Sequence, residues 1–367
     1  MENIFKIIYF IGSSLCAKRI DDKEGALKEG EVKKQLIYLQ DMDWETRFRA
    51  AETLGKMKDK KTVDPLILAL ADEDEYVREG AAWALGEIKD RKAIDPLLEA
   101  LGDPDRYVRE GAIAALAKIG ASVAVGPLVG LLKDKEESIR RAAEEALGSM
   151  GKSVVKTILV ALKDEEWEVR WRAAHISGDI KDPSAIDALV EALTDENKYV
   201  REAAAIALGE IKDKRAVHAL AAALKDENKY VREEAANALG AIKDKTAVAA
   251  LLQALDDRDW GVRWGAANAL GEIKDPSAIA RLIIIFRDDV RYVREGAAES
   301  VRRIGKPAVR PLIEALKDPD MNVRRWAAWT LGKIKDRRAS KPLLQALQDG
   351  DGGVQFAAEI ALAELEE

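Results

Sequence analysis

Apolar residues recur at helical spacing through almost the whole chain. In the segment Tyr76–Ile88, an advance of 100° per residue with Arg78 at 0° places Val77, Leu85 and the alanines between them in an arc from 240° to 340°. The shorter segment Ala93–Leu101 has the same helical spacing, and no stretch shows the two-residue alternation of a strand. The pattern predicts pairs of helices, a short helix A followed by a longer helix B.

The pair of helices repeats along the chain. One arginine marks the register of each helix B, and successive register arginines are 31 residues apart, with two intervals of 30. They are Arg47, Arg78, Arg109, Arg140, Arg170, Arg201, Arg232, Arg263, Arg294 and Arg324, with Gln355 in the last copy. An aspartate stands six residues before each: Asp41, Asp72, Asp103, Asp134, Asp164, Asp195, Asp226, Asp257, Asp288, Asp318 and Asp349. This period predicts about eleven stacked helical hairpins.

The turns of the repeat carry helix-capping residues. Asp105, in the turn before one helix B, is placed to accept hydrogen bonds from the free N–H groups of the helix start. A Lys-Asp turn ends most copies of helix B. Three junctions, Gly120–Val123, Gly151–Val154 and Gly305–Ala308, lack this turn, and we expect local changes of curvature there rather than domain boundaries.

The repeat resembles the HEAT-like repeats of the phycobilin lyase type, whose pattern is Asp-x-Asp-x-x-Val-Arg-x-x-Ala-Ala-x-Ala-Leu-Gly-x-Ile. The resemblance covers residues 31–367 and implies an all-α, right-handed α-solenoid with helix B lining the concave side. It also implies a ladder of Asp–Arg bonds between adjacent repeats. The ladder residues are Asp72, Arg78, Asp103, Arg109, Asp195, Arg201, Asp226, Arg232, Asp257 and Arg263. The chain is also similar to engineered HEAT-like binding scaffolds, although its unequal repeats favour a natural origin.

Residues 1–30 are predicted to form an N-terminal capping segment. The run from Ile4 to Ala17 has helical spacing, contains Lys6 and is shorter than the ~20 residues that span a bilayer. A signal or membrane anchor is the alternative interpretation. Cys16 is the only cysteine, so the chain cannot form an internal disulfide, and a cytoplasmic location is expected.

Aromatic residues concentrate on the exposed arc of helix B, where a bound partner is expected. Relative to the register arginine, positions −2, +1, +2, +5 and +9 face away from the core, and no tryptophan occupies a core position. The predicted partner-binding residues are Trp44, Phe48, Trp83, Trp167, Trp171, Arg172, His175, Trp260, Trp264, Arg325, Trp326 and Trp329. In the alternative interpretation the rings fold over the neighbouring repeat and seal the seam between repeats, above all the tyrosines at −2.

Charge narrows the class of partner. The chain has a net charge of −7, and the five exposed helix-B positions carry 16 acidic and 8 basic residues, a net −8. A phosphate backbone or an anionic membrane would be repelled by this surface. We therefore expect a protein or peptide partner, with no nucleic acid and no membrane. The last repeat lacks a following helix A, so Val354 and Ile360 are expected near an open end through which the chain could self-associate.

No motif in the chain predicts catalysis, a cofactor or a metal. The two histidines, His175 and His218, lack the adjacent glutamates of the di-iron hydroxylases built on HEAT-like repeats. The favoured function is a non-catalytic scaffold that binds its partner on the concave face. A bilin-binding, lyase-like protein is the alternative, followed by a nucleic-acid-binding HEAT-like protein. Dense charge with sparse asparagine, glutamine and cysteine is typical of thermostable proteins.

Overall fold

The computed structural model describes residues 29–366, which are helical throughout and contain no strand. Apart from Glu29 and Gly30, the predicted capping segment lies outside the described residues, and so does Cys16. Even-numbered helices are the predicted copies of helix B. Their bounds are Trp44–Met57 (α2), Glu75–Ile88 (α4), Arg106–Ile119 (α6), Glu137–Ser149 (α8), Trp167–Ile180 (α10), Lys198–Ile211 (α12), Lys229–Ile242 (α14), Trp260–Ile273 (α16), Arg291–Ile304 (α18), Met321–Ile334 (α20) and Gly352–Glu366 (α22).

Odd-numbered helices are the shorter copies of helix A. They comprise residues 29–38 (α1), Val63–Ala69 (α3), Ile94–Ala100 (α5), Val125–Gly130 (α7), Val155–Ala161 (α9), Ile186–Ala192 (α11), Val217–Ala223 (α13), Val248–Ala254 (α15), Ile279–Ile284 (α17), Val309–Ala315 (α19) and Ser340–Ala346 (α21). A single turn of 3-10 helix, such as Lys60–Thr62, leads into each helix A from α3 onward. Within residues 29–366, no helix is both long and apolar enough to cross a bilayer.

The turns cap the helices as the sequence predicts. The Asp105 side chain accepts hydrogen bonds from the N–H groups of Tyr107 and Val108 at the start of α6. At the other end of helix B, seven lysines at position +11 have positive φ angles of 52° to 59°, and Gly120, Gly151 and Gly305 take that position at the three irregular junctions. A residue in the left-handed region ends a helix because it turns the chain away from the helix axis.

The predicted core arc is buried. Val77, Leu85 and their equivalents in the other repeats are fully inaccessible to solvent, and they pack against buried leucines of helix A such as Leu97. The small residues predicted to let neighbouring helices approach also do so. A β-carbon built on Gly240 would lie 2.9 Å from the Cα of Ala269 in the next helix B. Glycine at +8 therefore sets the spacing of adjacent B helices.

The described chain forms two compact units that divide after Thr157. Each unit is an all-α solenoid in which every hairpin packs on the next. The division falls beside the second irregular junction, Gly151–Val154.

Candidate interaction surface

Asp–Arg bonds between adjacent repeats fix the orientation of each helix B. The Arg201 guanidinium donates to both carboxylate oxygens of Asp226 in the next repeat, at 2.7 and 2.9 Å. Its Nη1 donates to the carbonyl oxygen of Asp195, 2.9 Å away, in its own turn. Fork-to-carboxylate pairs of this kind are strong and directional. Seven rungs have this geometry: Arg47–Asp72, Arg78–Asp103, Arg170–Asp195, Arg201–Asp226, Arg232–Asp257, Arg263–Asp288 and Arg324–Asp349.

Three register arginines depart from the ladder. Arg109 bonds Glu136 at 2.9 Å instead of the repeat aspartate, Arg140 bonds Glu137 in its own turn, and Arg294 bonds only carbonyl oxygens of its own turn. The buried Nε of each of the three has no hydrogen-bond partner among the described residues. For Arg109 and Arg294 a cause is visible at position +8, where Ala117 and Arg302 replace the glycine that allows close approach. These helices end at the three irregular junctions.

An exposed row of aromatic rings crosses the first turn of the B helices. We call it the aromatic row; its members lie at position −3 or −2, one per repeat, and are 37–66% exposed. They are Trp44, Tyr76 and Tyr107 in the first unit, and Trp167, Tyr199, Tyr230, Trp260 and Tyr292 in the second. Trp44 stacks on Tyr76 of the next repeat with ring centroids 5.1 Å apart, and Trp167 stacks on Tyr199 at 5.6 Å. The tyrosines, which the seam interpretation would bury, are thus among the most exposed rings.

Other predicted aromatics do lie over the seam between repeats. The Phe48 ring covers Gly80 of the next repeat, and the Trp264 ring covers Gly296, so that a β-carbon on either glycine would lie 2.9–3.0 Å from the ring. Trp83 covers Gly55 of the preceding repeat in the same way. Trp264 remains 38% exposed, whereas Phe48 and Trp83 are half-buried.

Arg172 corrects the prediction of an exposed residue at +2. It is only 5% exposed, and its guanidinium lies 5.0 Å from the centre of the Trp171 ring. Position +2 faces the preceding helix B elsewhere in the chain: a β-carbon on Gly265 would lie 3.3 Å from the Asn237 side chain. A helical wheel places +2 outside the core of its own hairpin but ignores the adjacent repeat. Position +2 is therefore a seam position.

The remaining predicted residues form two local clusters. Trp171 meets His175 edge to face at 5.0 Å, and both are half-buried. Trp326 meets Trp329 edge to face at 5.6 Å, beside the exposed Arg325. Trp167 and Trp260, each predicted to pair with the tryptophan four residues on, belong instead to the aromatic row.

The C-terminal end differs in part from the prediction. Val354 is fully buried in α22, which packs on α20, whereas Ile360 is 37% and Phe356 60% exposed. Val354 falls on the core arc of its own hairpin, so it is covered even without a following helix A.

Carboxylates crowd the helix-B face beside the aromatic row. Burial raises the pKa of Glu202, and repulsion by Glu234 and Glu233 raises it further. Burial raises the pKa of Glu79 in the first unit as well, with Asp105 and Glu110 acting in the same direction. Negative charge at these glutamates is uncompensated, so a cation placed beside them would be stabilised.

Cations already lie against the rings of the aromatic row. The Arg106 guanidinium is 4.5 Å from the centre of the Tyr107 ring, and the Lys229 ammonium is 5.0 Å from that of Tyr230. Rings that accept lysine and arginine from their own chain can accept them from another. In residues 29–366, no group of three or more His, Cys, Asp or Glu side chains is arranged to hold a metal ion.

Comparison with known families supports what the repeat geometry shows. The HEAT-repeat family matches residues 33–117, 94–165, 155–228, 217–302 and 284–363. The chain belongs to the HEAT-repeat family. A HEAT-repeat solenoid is typical of protein-interaction scaffolds and is generally non-catalytic. A comparison with curated protein sequences found no match.

Solved structures share the repeat at low sequence identity. An engineered protein is 25% identical, with 92% of this chain and 99% of that one covered, at a TM-score of 0.37. Human deoxyhypusine hydroxylase in complex with glycerol is 27% identical, with coverage of 68% and 98%, at a TM-score of 0.31. Importin beta is 16% identical, with coverage of 94% and 61%, at a TM-score of 0.60. The similarity to importin beta shows the shared α-solenoid fold.

Proposed function

We propose that this HEAT-repeat protein is a non-catalytic scaffold that binds a protein or peptide along its B helices. The observation that carries the proposal is the aromatic row, in which eight rings stay 37–66% exposed although each helix B also has a fully buried core arc. Exposed aromatic stripes on a folded surface are typical of interaction sites, and tyrosine and tryptophan are the side chains that most often anchor a partner.

The spacing of the rings favours an extended segment. Adjacent packed helices lie roughly 8–10 Å apart, and an extended chain advances about 3.3 Å per residue, so one repeat matches about three residues of a bound peptide. An extended peptide would therefore present an anchoring side chain to successive rings at every third position.

The charges beside the row favour a basic partner. The raised pKa of Glu79 and Glu202 shows that their negative charge is unfavourable in the free protein, first through burial and then through neighbouring carboxylates. A lysine or arginine of the partner would relieve that repulsion while its alkyl stem lies on a ring. We expect bound peptides to combine basic residues with apolar ones.

A peptide library tests the proposal directly. Displayed random dodecapeptides would be sorted on the full-length protein, and enriched peptides measured by fluorescence anisotropy. Replacing Trp167, Tyr199 and Tyr230 together by alanine should weaken their binding by about tenfold or more, because the anchors of an interface carry most of its energy. The matched control replaces Leu68, Val160 and Leu344 on the A helices, which are 56–77% exposed. Equal losses in the two triple variants, or no loss in the first, would refute the proposal.

A further inference from the structure

A second series of ion pairs links adjacent B helices near their C-terminal ends. The left-handed lysine at +11 of one repeat reaches the glutamate at +9 of the next: Lys58 to Glu87 at 2.9 Å, Lys181 to Glu210 at 2.6 Å, and Lys243 to Glu272 at 2.6 Å. The backbone of the lysine and the position of the glutamate are thus repeated features of the fold.

The series is interrupted at Lys212. Position +9 of the next repeat is Ala241, so the carboxylate that other lysines reach is missing. Lys212 is exposed and makes no ion pair or hydrogen bond with any described residue. A pocket of about 460 Å³ opens at this place and is lined by Lys212, Ala241, Asn237, Asn268 and Trp264.

The pocket gathers hydrogen-bond donors around one apolar ring. The Asn268 side chain has no hydrogen-bond partner in the described part of the chain, and that of Asn237 makes one long bond of 3.4 Å to Glu234. Trp264, 38% exposed, supplies the apolar wall. Lys243 and Arg303 also line the pocket and share a single carboxylate, Glu272, with N–O distances of 2.6 and 2.7 Å.

The local charge is opposite to that of the surrounding face. Three cations, Lys212, Lys243 and Arg303, and one carboxylate, Glu272, line the pocket, which leaves a net charge of +2. The remaining exposed helix-B positions are predominantly acidic. A basic site within an acidic surface selects an anionic group and orients it.

We propose that this pocket binds the free C-terminal carboxylate of a peptide whose last side chain is apolar, an inference that rests on the proposed peptide-binding function. The carboxylate occupies the place that glutamate takes in neighbouring repeats and accepts hydrogen bonds from Lys212 and from the Asn237 and Asn268 amides. The apolar side chain packs on Trp264. A terminal residue carries a carboxylate and a side chain on one carbon, whereas an internal aspartate or glutamate offers no apolar group of its own.

A small probe tests the pocket apart from the aromatic row. N-acetyl-L-phenylalanine and its carboxamide would be titrated into the full-length protein while the side-chain amide NMR signals of its six asparagines are followed. The acid should shift the Asn237 and Asn268 signals saturably and bind about tenfold or more tighter than the amide, since the amide lacks the charge. N-acetyl-aspartate α-amide, whose only carboxylate is on its side chain, should bind as weakly as the amide.

Two variants make the test specific. Ala241→Glu supplies the missing carboxylate to Lys212 and should reduce binding of the acid about tenfold or more while keeping the fold. Lys212→Gln should also weaken binding, whereas Lys274→Gln, at the same position of the next repeat but outside the pocket lining, should not. Equal binding of acid and amide, tight binding of the aspartate probe, or full binding by Ala241→Glu would overturn the proposal. Because the probe does not span the aromatic row, failure here is separate from failure of the peptide-library test.

Discussion

Ser300 lies directly against Gly271, where a β-carbon built on the glycine would be only 2.6 Å from the serine β-carbon. The Ser300 hydroxyl is fully buried and has no hydrogen-bond partner among the described residues. In the other close contacts of this type, alanine faces the glycine, as Ala269 faces Gly240. Ser300 therefore places an unsatisfied polar atom at the tightest point between two helices.

Ser300→Ala should stabilise the protein. Removing a buried hydroxyl without a partner is worth about 1–2 kcal/mol in the free energy of unfolding, and the helix contact is kept. A higher urea midpoint at unchanged slope would show the effect. The reverse change, Ala269→Ser against Gly240, serves as control and should lower the midpoint. A lower midpoint for Ser300→Ala would contradict this account.

Gly240→Ala should destabilise the protein by about 1–3 kcal/mol, because the added methyl group would overlap the backbone of Ala269. Gly126 in helix α7 has no atom within 4 Å of its β-position, and Gly126→Ala should stabilise by about 0.5–1 kcal/mol through helix propensity. Thermal unfolding of the two variants, with opposite shifts expected, checks the contact. Shifts of the same sign would argue against glycine as the spacing residue.

Asp226→Asn should cost about 2–3 kcal/mol, because it breaks a buried bidentate pair and leaves the Arg201 charge uncompensated. Asp318→Asn is the matched control, since Asp318 also accepts from a backbone N–H two residues on, but its arginine partner, Arg287, is half-exposed. The control should cost less than about 1 kcal/mol. Urea denaturation distinguishes the two, and equal losses would count against a special role for the ladder.

Acid should weaken the ladder. Burial alone would raise the pKa of Asp195, but hydrogen bonds from Arg170 and the Asn197 N–H outweigh it and lower the pKa, and the same holds for Asp257. A carboxyl whose folded pKa is lowered stabilises the fold above its unfolded pKa and loses that contribution as pH falls through the folded value. The urea midpoint should therefore drop below about pH 4. Asp195→Asn with Asp257→Asn should flatten that dependence, and an unchanged slope would contradict it.

The density of charge predicts a thermostable protein. Ion-pair networks gain weight on heating because the cost of desolvating charges falls with temperature. We expect a Tm above the range of about 45–65 °C that is typical of mesophilic domains. Calorimetry at neutral pH would measure it, and a Tm within that range would disprove the expectation.

The repeat itself carried most of the structural prediction. Eleven copies of one phrase determine the register of the arginines, the paired helices and the buried arc, because a local ambiguity in one copy is resolved by the others. Asp105 and its equivalents cap as expected for the same reason. Glycine at +8 was recognised from its small size alone.

Contacts between neighbouring repeats were harder to foresee. Arg172 was placed on the exposed arc because a helical wheel treats one helix at a time, whereas +2 faces the adjacent helix. The stacking of Trp167 on Tyr199 joins positions −3 and −2 of different repeats, and no single-helix pattern contains that relationship. Ala241 and the pocket beside it were visible only as a departure from the repeat, and the loss of one glutamate acquires meaning once Lys212 is seen without a partner.

The ladder has a consequence for how such proteins change over generations. Each intact rung joins residues 25 positions apart, as in Arg201 and Asp226, and no rung refers to the ends of the chain. Duplicating or deleting one repeat-length segment of coding sequence would leave every remaining rung with an equivalent partner. Recombination can thus lengthen or shorten the molecule one hairpin at a time, and the number of rings offered to a ligand becomes a heritable trait that varies independently of folding.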